Sequence, residues 1–239
     1  MLSGQHLEPR LAVDANYAPE LRRIALFEDL EPAELARVAA LCTTRAYERH
    51  AQILSEQDQT TDVFFILSGS VRISSYTDAG REVMYTGMSA GDMFGEFAAV
   101  DQLPRSATVV ALTECRLARM PATRFFDILR NPDISAKLIA ILVTKIRAMS
   151  ERVFEVSALA VRERVRRELL RLATEGTVFR NGIVIRPAPT HYEIASRIGS
   201  HREAVTREFN RLESENIVEV RRRQIRIIDI ERLKSPDDE

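Results

Sequence analysis

Cysteine is nearly missing from this chain of 239 residues: only Cys42 and Cys115 occur. Two thiols with no C-x-x-C spacing exclude a disulfide framework. They also exclude an iron–sulfur cluster, which needs about four cysteine ligands. The four histidines (His6, His50, His191 and His201) have no metal-like spacing, so neither a metal site nor haem sensing is expected. Long apolar runs are lacking too, and none reaches the length that spans a bilayer. The opening stretch MLSGQHLEPRL has neither the basic start nor the apolar core of a signal peptide. A cytoplasmic protein with no membrane contact is the expectation. No Ser/His/Asp set and no paired acids stand in a plausible pocket arrangement, so no enzyme is expected.

What is present is globular. Hydrophobic residues make up 45% and charged residues 29%, values that fit folded domains and not wholesale disorder. The length suffices for two domains with buried cores. The formal net charge of −1 hides an asymmetry. Residues 158–239 carry 17 Lys/Arg against 14 Asp/Glu, a net of +3, while residues 1–157 carry 17 against 21, a net of −4. A basic back half suggests a polyanionic partner, although a modest excess also fits a solvated surface.

The texture changes along the chain. Residues 1–18 show no sustained period and read as a loose tail. Helical spacing follows from Pro19 to Leu41. Short β segments separated by Gly and Asp corners then run from Thr43 to Arg119, the pattern of a β-barrel or jelly roll. From about Pro132 to Val156 a long helix is expected, with Leu138, Leu142, Ile146, Met149, Val153 and Val156 at spacings of four or three. That seam fits a partner helix, or its own β-roll. Ser157 to Leu159 breaks it and reads as a hinge. A further helix is expected from Val161 to Ala173 and a strand at Gly182–Ile185.

Two motifs carry chemistry. In Phe94–Thr108, FGEFAAVDQLPRSAT, Gly95 lets a backbone N–H approach an anion. Arg105 can return to the same spot with a planar fork of donors for phosphate, and Glu96 can accept from a sugar hydroxyl. The plainer alternative is a strand–loop–strand corner in which Arg105 pairs with Glu96. In the second motif, Thr190-His191-Tyr192-Glu193 is a capping box that opens a short helix. Gly199 ends it, and a second helix begins near Ser200 and His201 and continues to Leu212. That is a helix-turn-helix with Ala195, Ile198, Val205, Phe209 and Leu212 as its core. Arg202, Glu203, Thr206 and Arg207 then face a major groove, where arginine reads guanine and glutamate reads cytosine. Arg221, Arg222 and Arg223 form the tip of a two-stranded wing and, with Thr190, suit phosphate contacts. Protein contact with solvated arginines is the alternative.

The first motif resembles the phosphate-binding cassette of cyclic-nucleotide-binding domains, G-E-[LF]-A-x(5)-P-R-[STA]-A-T. The second resembles the C-terminal domain of the cyclic-AMP receptor protein and its Fnr relatives. Both occur in the family's order, and the similarity covers about residues 20–230. The resemblance implies an α+β chain: a flexible tail (1–20), a jelly-roll-like cyclic-nucleotide-binding β-roll (21–130), a dimerisation helix (131–157) and a winged helix-turn-helix domain (158–239). It implies a ligand site of Gly95, Glu96, Phe97, Ala98, Arg105 and Ser106, with Glu96 on the ribose and Arg105 and Ser106 on the cyclic phosphate. The purine-reading positions fall on Met149 and Ser150; Ser150 keeps the hydroxyl and Met149 does not. Cyclic AMP is the first choice of allosteric ligand and cyclic GMP, through Ser106, is close behind; no cofactor is implied. Arg202, Glu203 and Arg207 fall on the base-reading positions. They imply a homodimer on palindromic double-stranded DNA with TGTGA-like half-sites, and contact with RNA polymerase. Two alternatives remain open: a vestigial or different small-molecule pocket, and a nucleotide-binding regulatory subunit acting on a protein partner.

Overall fold

The computed structural model describes residues 17–77, 82–174, 176–179 and 182–235. Residues 1–16 of the expected tail, the corner at 78–81 and the acidic end at 236–239 lie outside the described residues; Tyr17, also expected in that tail, is buried and its hydroxyl donates to the Ala39 carbonyl at 2.5 Å. The chain divides into two compact units, one built from 1–81 and 85–144, the other from 82–84 and 145–239.

In the first unit the helical signals near the N-terminus become α1 (Ala18–Leu21) and α2 (Pro32–Ala40). Pro32 sits at the first helical position and Glu31 and Glu34 complete a capping box, so the start is fixed locally. The strands are β1 (Thr43–Tyr47), β2 (Gln52–Leu54), β3 (Val63–Ser68), β4 (Ser70–Tyr76), β5 (Glu82–Ser89) and β6 (Met93–Phe94). After α3 (Glu96–Asp101) come β7 (Thr108–Ala111), β8 (Cys115–Met120), α4 (Ala122–Ile128) and α5 (Pro132–Ala158), of which the residues from Lys145 onward belong to the second unit. Two four-stranded sheets result, in the orders β1-β8-β3-β6 and β2-β7-β4-β5.

The apolar run of β3 explains the layering. Phe64 and Ile66 join Leu54, Val71, Phe94, Val109 and Leu117, a core drawn from both sheets. Val63, Phe65 and Leu67 point the opposite way and join α1, α2, α4 and the start of α5. A strand buried on both faces has no polar alternation, because neither set of side chains meets water. Phe64 stacks on Phe94 (5.1 Å, 7°), and Phe65 tilts against Phe27 (5.0 Å, 59°). Cys115 is buried strand packing whose thiol donates to the Ser70 carbonyl at 3.1 Å.

The long helix departs from expectation at both ends. Leu138 is buried in the helix–sheet core, while Ile139 beside it is exposed. The exposed seam is therefore Ile139, Leu142, Ile146, Met149, Val153 and Val156, with Leu142 half-buried. At the C-terminal end, Ser157 and Ala158 remain helical, so the break expected there is confined to Leu159 and Ala160.

In the second unit, α6 (Val161–Thr174) leads to β9 (Thr177–Phe179) and β10 (Gly182–Ile185). Then come α7 (His191–Arg197), α8 (Arg202–Ser214), β11 (Val218–Arg221), β12 (Gln224–Ile227) and α9 (Ile230–Lys234). The wing is larger than the two strands expected. β10 pairs with both β9 and β12, giving the antiparallel order β11-β12-β10-β9. Val165, Leu169, Ile194, Val205, Phe209, Leu212, Ile225 and Ile227 form one core beneath it.

Candidate functional site

The cassette is built around a buried arginine. β6 delivers Gly95 in a left-handed conformation (φ +86°), which serves as N-cap of α3. Any Cβ here would meet the Asp62 carbonyl oxygen at 2.7 Å and Arg105 Nη1 at 2.8 Å, so only glycine fits. Arg105 is 2% exposed. Its Nε donates to Thr60 Oγ1 (3.0 Å), Nη1 to the Gly95 carbonyl (2.9 Å) and Nη2 to the Asp62 carbonyl (2.8 Å). Its backbone is held by the same loop: Arg105 N–H donates to the Asp58 carbonyl and Gln57 N–H to the Arg105 carbonyl, each at 2.9 Å. Burial lowers the arginine's pKa, and the charges of Asp62, Asp58 and Glu96 oppose that shift.

The other cassette residues separate by exposure. Glu96, 4% exposed, and Ala98 are buried in the first turn of α3. Phe97 and Ser106 face solvent, and the Ser106 carbonyl accepts from Ser75 Oγ at 3.5 Å. Thr60, Asp58 and Asp62 escaped the sequence reading because they belong to the β2–β3 loop, more than 40 residues before Arg105. No spacing rule links them to it. Met149 (58% exposed) and Ser150, whose hydroxyl donates to the Ile146 carbonyl at 3.0 Å, lie on the part of α5 that belongs to the second unit.

The helix-turn-helix is assembled as its sequence signals indicate. Thr190 Oγ1 accepts from Glu193 N–H (3.2 Å) and Glu193 Oε2 accepts from Thr190 N–H (2.7 Å), closing the capping box at α7. Gly199 takes φ +63° between the helices. His201 is the N-cap of α8, without a side-chain cap bond. Arg202, Glu203 and Arg207 are exposed on the first two turns. Thr206 is half-buried and occupied: it donates to the Arg202 carbonyl and lies 2.9 Å from His191 Nδ1. The His191 ring stacks on Phe209 at 4.5 Å. Burial, aided by the Arg202 charge, lowers the His191 pKa, so the ring is neutral at pH 7. At the wing tip, Arg221 pairs with Glu219 (2.6 Å), whereas Arg222 and Arg223 form the exposed two-residue turn, Arg223 at φ +57°.

Among the described residues, no group of three His, Cys, Asp or Glu is arranged to hold a metal ion. Nor is any described helix long and apolar enough to cross a membrane.

Comparison with known proteins fits this geometry. Residues 44–131 match the family model of the cyclic nucleotide-binding domain, and residues 163–235 match that of the Crp-like helix-turn-helix domain. A CRP-like cAMP-activated global transcriptional regulator of Mycobacterium tuberculosis is 28% identical over 219 residues, covering 89% of this chain and 96% of the relative. The cAMP-activated global transcriptional regulator CRP of Haemophilus influenzae is 28% identical over 179 residues, covering 74% and 80%. Among solved structures, the c-di-GMP responsive global regulator CLP of Xanthomonas campestris superposes with a TM-score of 0.75 at 20% identity, covering 83% of this chain and 100% of that one. A CooA mutant from Carboxydothermus hydrogenoformans reaches 0.74 at 20% identity, covering 94% and 96%. At those identities the structural likeness speaks for the fold.

Proposed function

The chain belongs to the Crp/Fnr family of bacterial transcription regulators, and on that premise we propose that it is a cyclic-nucleotide-gated, sequence-specific DNA-binding protein acting as a homodimer. The observation that carries this reading is the set of Arg105 bonds. Three of the five guanidinium N–H groups are held by Thr60, Gly95 and Asp62, which leaves two to form a charge-assisted pair with a phosphate. A cyclic phosphodiester, with a single negative charge, suits two donors plus the backbone N–H groups of Phe97 and Ala98. Glu96 takes the ribose hydroxyl, and Ser106 adds a hydroxyl at the rim. Met149 and Ser150 meet the base.

Cyclic AMP is the favoured ligand, since the relatives from M. tuberculosis and H. influenzae are described as cAMP-activated. Cyclic GMP is close behind, because Met149 cannot bond an adenine amino group and Ser106 can bond a guanine one. Calorimetry with cyclic AMP, cyclic GMP and cyclic di-GMP side by side, paired with DNA titrations, tests the assignment. Equal DNA affinity with and without every nucleotide sinks the gating. Three internal bonds also suit a pocket that keeps its shape with no ligand, the vestigial reading; heats of binding to any of the three exclude it.

The α5 seam supports the homodimer. Its residues alternate at spacings of three and four, with Ile139, Ile146 and Val153 at one set of positions and Leu142, Met149 and Val156 at the other. β-branched residues at the first set favour a parallel two-stranded coil. Two such chains present two α8 helices to half-sites one helical turn apart, with Arg202, Glu203 and Arg207 reading TGTGA-like bases. Thr190, His201, Arg222 and Arg223 contact phosphate, and Arg221 is held in reserve by Glu219. The 21–130, 131–157 and 158–239 divisions then serve as sensor, coupler and reader in the cytoplasm, with RNA polymerase as the downstream partner, and Tyr17 and Ala18 of the 1–20 division join the sensor's core.

A further inference from the structure

Only Leu159 and Ala160 separate α5 from α6, and both of their amides are bonded. Leu159 N–H donates to the Glu155 carbonyl and Ala160 N–H to Glu163 Oε2, each at 3.1 Å. Two carboxylates shielded from water lie across this link: Glu155 on α5, 4% exposed, and Glu168 on α6, 2% exposed. Glu168 accepts from Arg152 of α5 (2.9 Å), from Arg171 of its own helix (2.9 Å) and from Arg197 of α7 (3.2 Å). Glu155 pairs with Arg171, with Arg167 at 3.6 Å and with Arg152 at 3.7 Å. Arg164 donates to the Ile198 carbonyl (2.7 Å) in the turn between α7 and α8. A Cβ on Gly199 in that turn would stand 3.6 Å from the Val156 side chain.

Exposed ion pairs exchange for water at little cost, but a carboxylate taken out of water must keep its partners. Swinging α6 away from α5 about residues 157–161 would strip Arg152 from Glu168 and Arg167 and Arg171 from Glu155 together. The link is short, yet it is stapled.

We propose that Glu155 and Glu168 form a charge lock that joins the last turns of α5, α6 and the helix-turn-helix into one rigid body, so that the link at Leu159 and Ala160 is not a free hinge. This rests on the gated-regulator reading. Glu168 is then a positioning residue that acts through Arg152 and Arg197, and not a residue that touches nucleotide or DNA.

The test compares the full-length wild type with Glu168→Gln, Arg152→Met and Arg152→Lys. Amide hydrogen exchange is measured with and without cyclic AMP, alongside calorimetry and DNA titration. In the wild type, cyclic AMP is expected to leave exchange at 157–161 unchanged. In Glu168→Gln and Arg152→Met, exchange at 153–164 rises at least tenfold without nucleotide. Nucleotide affinity stays within twofold of wild type, and the nucleotide-induced gain in DNA affinity falls at least tenfold. Arg152→Lys restores part of that gain. A nucleotide response at 157–161 in the wild type overturns the proposal, as does a variant that keeps the full gain. If Glu168→Gln does not fold, Arg152→Met and Arg197→Met carry the comparison. A wild type whose DNA affinity ignores nucleotide sinks the gating reading instead; the lock then stands or falls on exchange at 153–164 in variants against wild type.

Discussion

Arg105 shows how one side chain can be a scaffold and, in the function proposed, a receptor as well. Replacing it by Leu leaves the Gly95 and Asp62 carbonyls without their donors in a buried site, at a cost of about 1–3 kcal/mol for an unsatisfied group. Arg105→Leu is therefore expected to lower the melting temperature as well as abolish nucleotide heats in calorimetry. An unchanged melt would show that those bonds are not made. The motif spacing announced the arginine but not its inward bonds, because its acceptors are backbone oxygens from another loop and a backbone oxygen has no residue signature. Arg223 makes the complementary case. An arginine at φ +57° stands where glycine is normally preferred. Arg223→Gly is expected to relieve a left-handed strain of about 1–2 kcal/mol, offset in part by the greater unfolded-state entropy of glycine, while weakening DNA binding across all sequences and reducing the salt slope by about 1 per protomer. If DNA affinity and slope do not move, the wing tip makes no phosphate contact. His191 gives a pH signature. Its folded-state pKa is depressed below the ordinary value of about 6.5, so the unfolded chain binds the proton more readily. Its contribution is complete above pH 6.5 and declines as the pH falls from there towards the folded-state value. Melts of His191→Gln between pH 5 and 8 are expected to be flatter than wild type; parallel curves would place the pH dependence elsewhere.

At the scale of elements, the helix-turn-helix was the most legible part of the chain. Thr190, Glu193 and Gly199 act within a few residues of one another, and local signals survive into the fold unchanged. α5 was legible in extent but not in facing. Leu138 and Ile139 both fit the spacing to Leu142, and only packing against the sheet and helices of the first unit buries Leu138 and releases Ile139. The burial of Glu155 and Glu168 left no signal in the sequence, because a carboxylate on a charged helix face shows its surroundings only once the helices close over it. The exposed seam yields its own prediction. Ile146→Glu places two carboxylates opposite each other in a paired coil and is expected to give a monomer by sedimentation. Its DNA affinity should fall at least a hundredfold, with nucleotide-site geometry in the first unit intact. A stable dimer would remove α5 as the interface.

Over the whole molecule, charge and burial divide the labour. The acidic-leaning first part holds the buried arginine, and the basic second part carries Arg202, Arg207, Arg222 and Arg223 on its surface. Contacts made by exposed arginines release counterions from DNA and weaken with salt, whereas a buried guanidinium is screened far less. Raising salt from 50 to 200 mM is accordingly expected to cut DNA affinity by orders of magnitude and nucleotide affinity by less than tenfold. Equal sensitivity of the two would mean that the nucleotide is held mainly by surface charge.

The doubly buried strand β3 also has a cost in time. Its sheet partner β8 lies about 50 residues further along the chain, so one edge of Val63–Leu67 leaves the ribosome before the strand that pairs with it has been made. At synthesis rates of about 5–20 residues per second, the segment waits roughly 3–10 s. Five consecutive apolar residues with high β-propensity and no charge are the kind of stretch that recruits a chaperone or pairs with a neighbouring nascent chain. A chaperone or a neighbouring chain that reaches Phe64 and Phe65 in that interval competes with β8 for the strand.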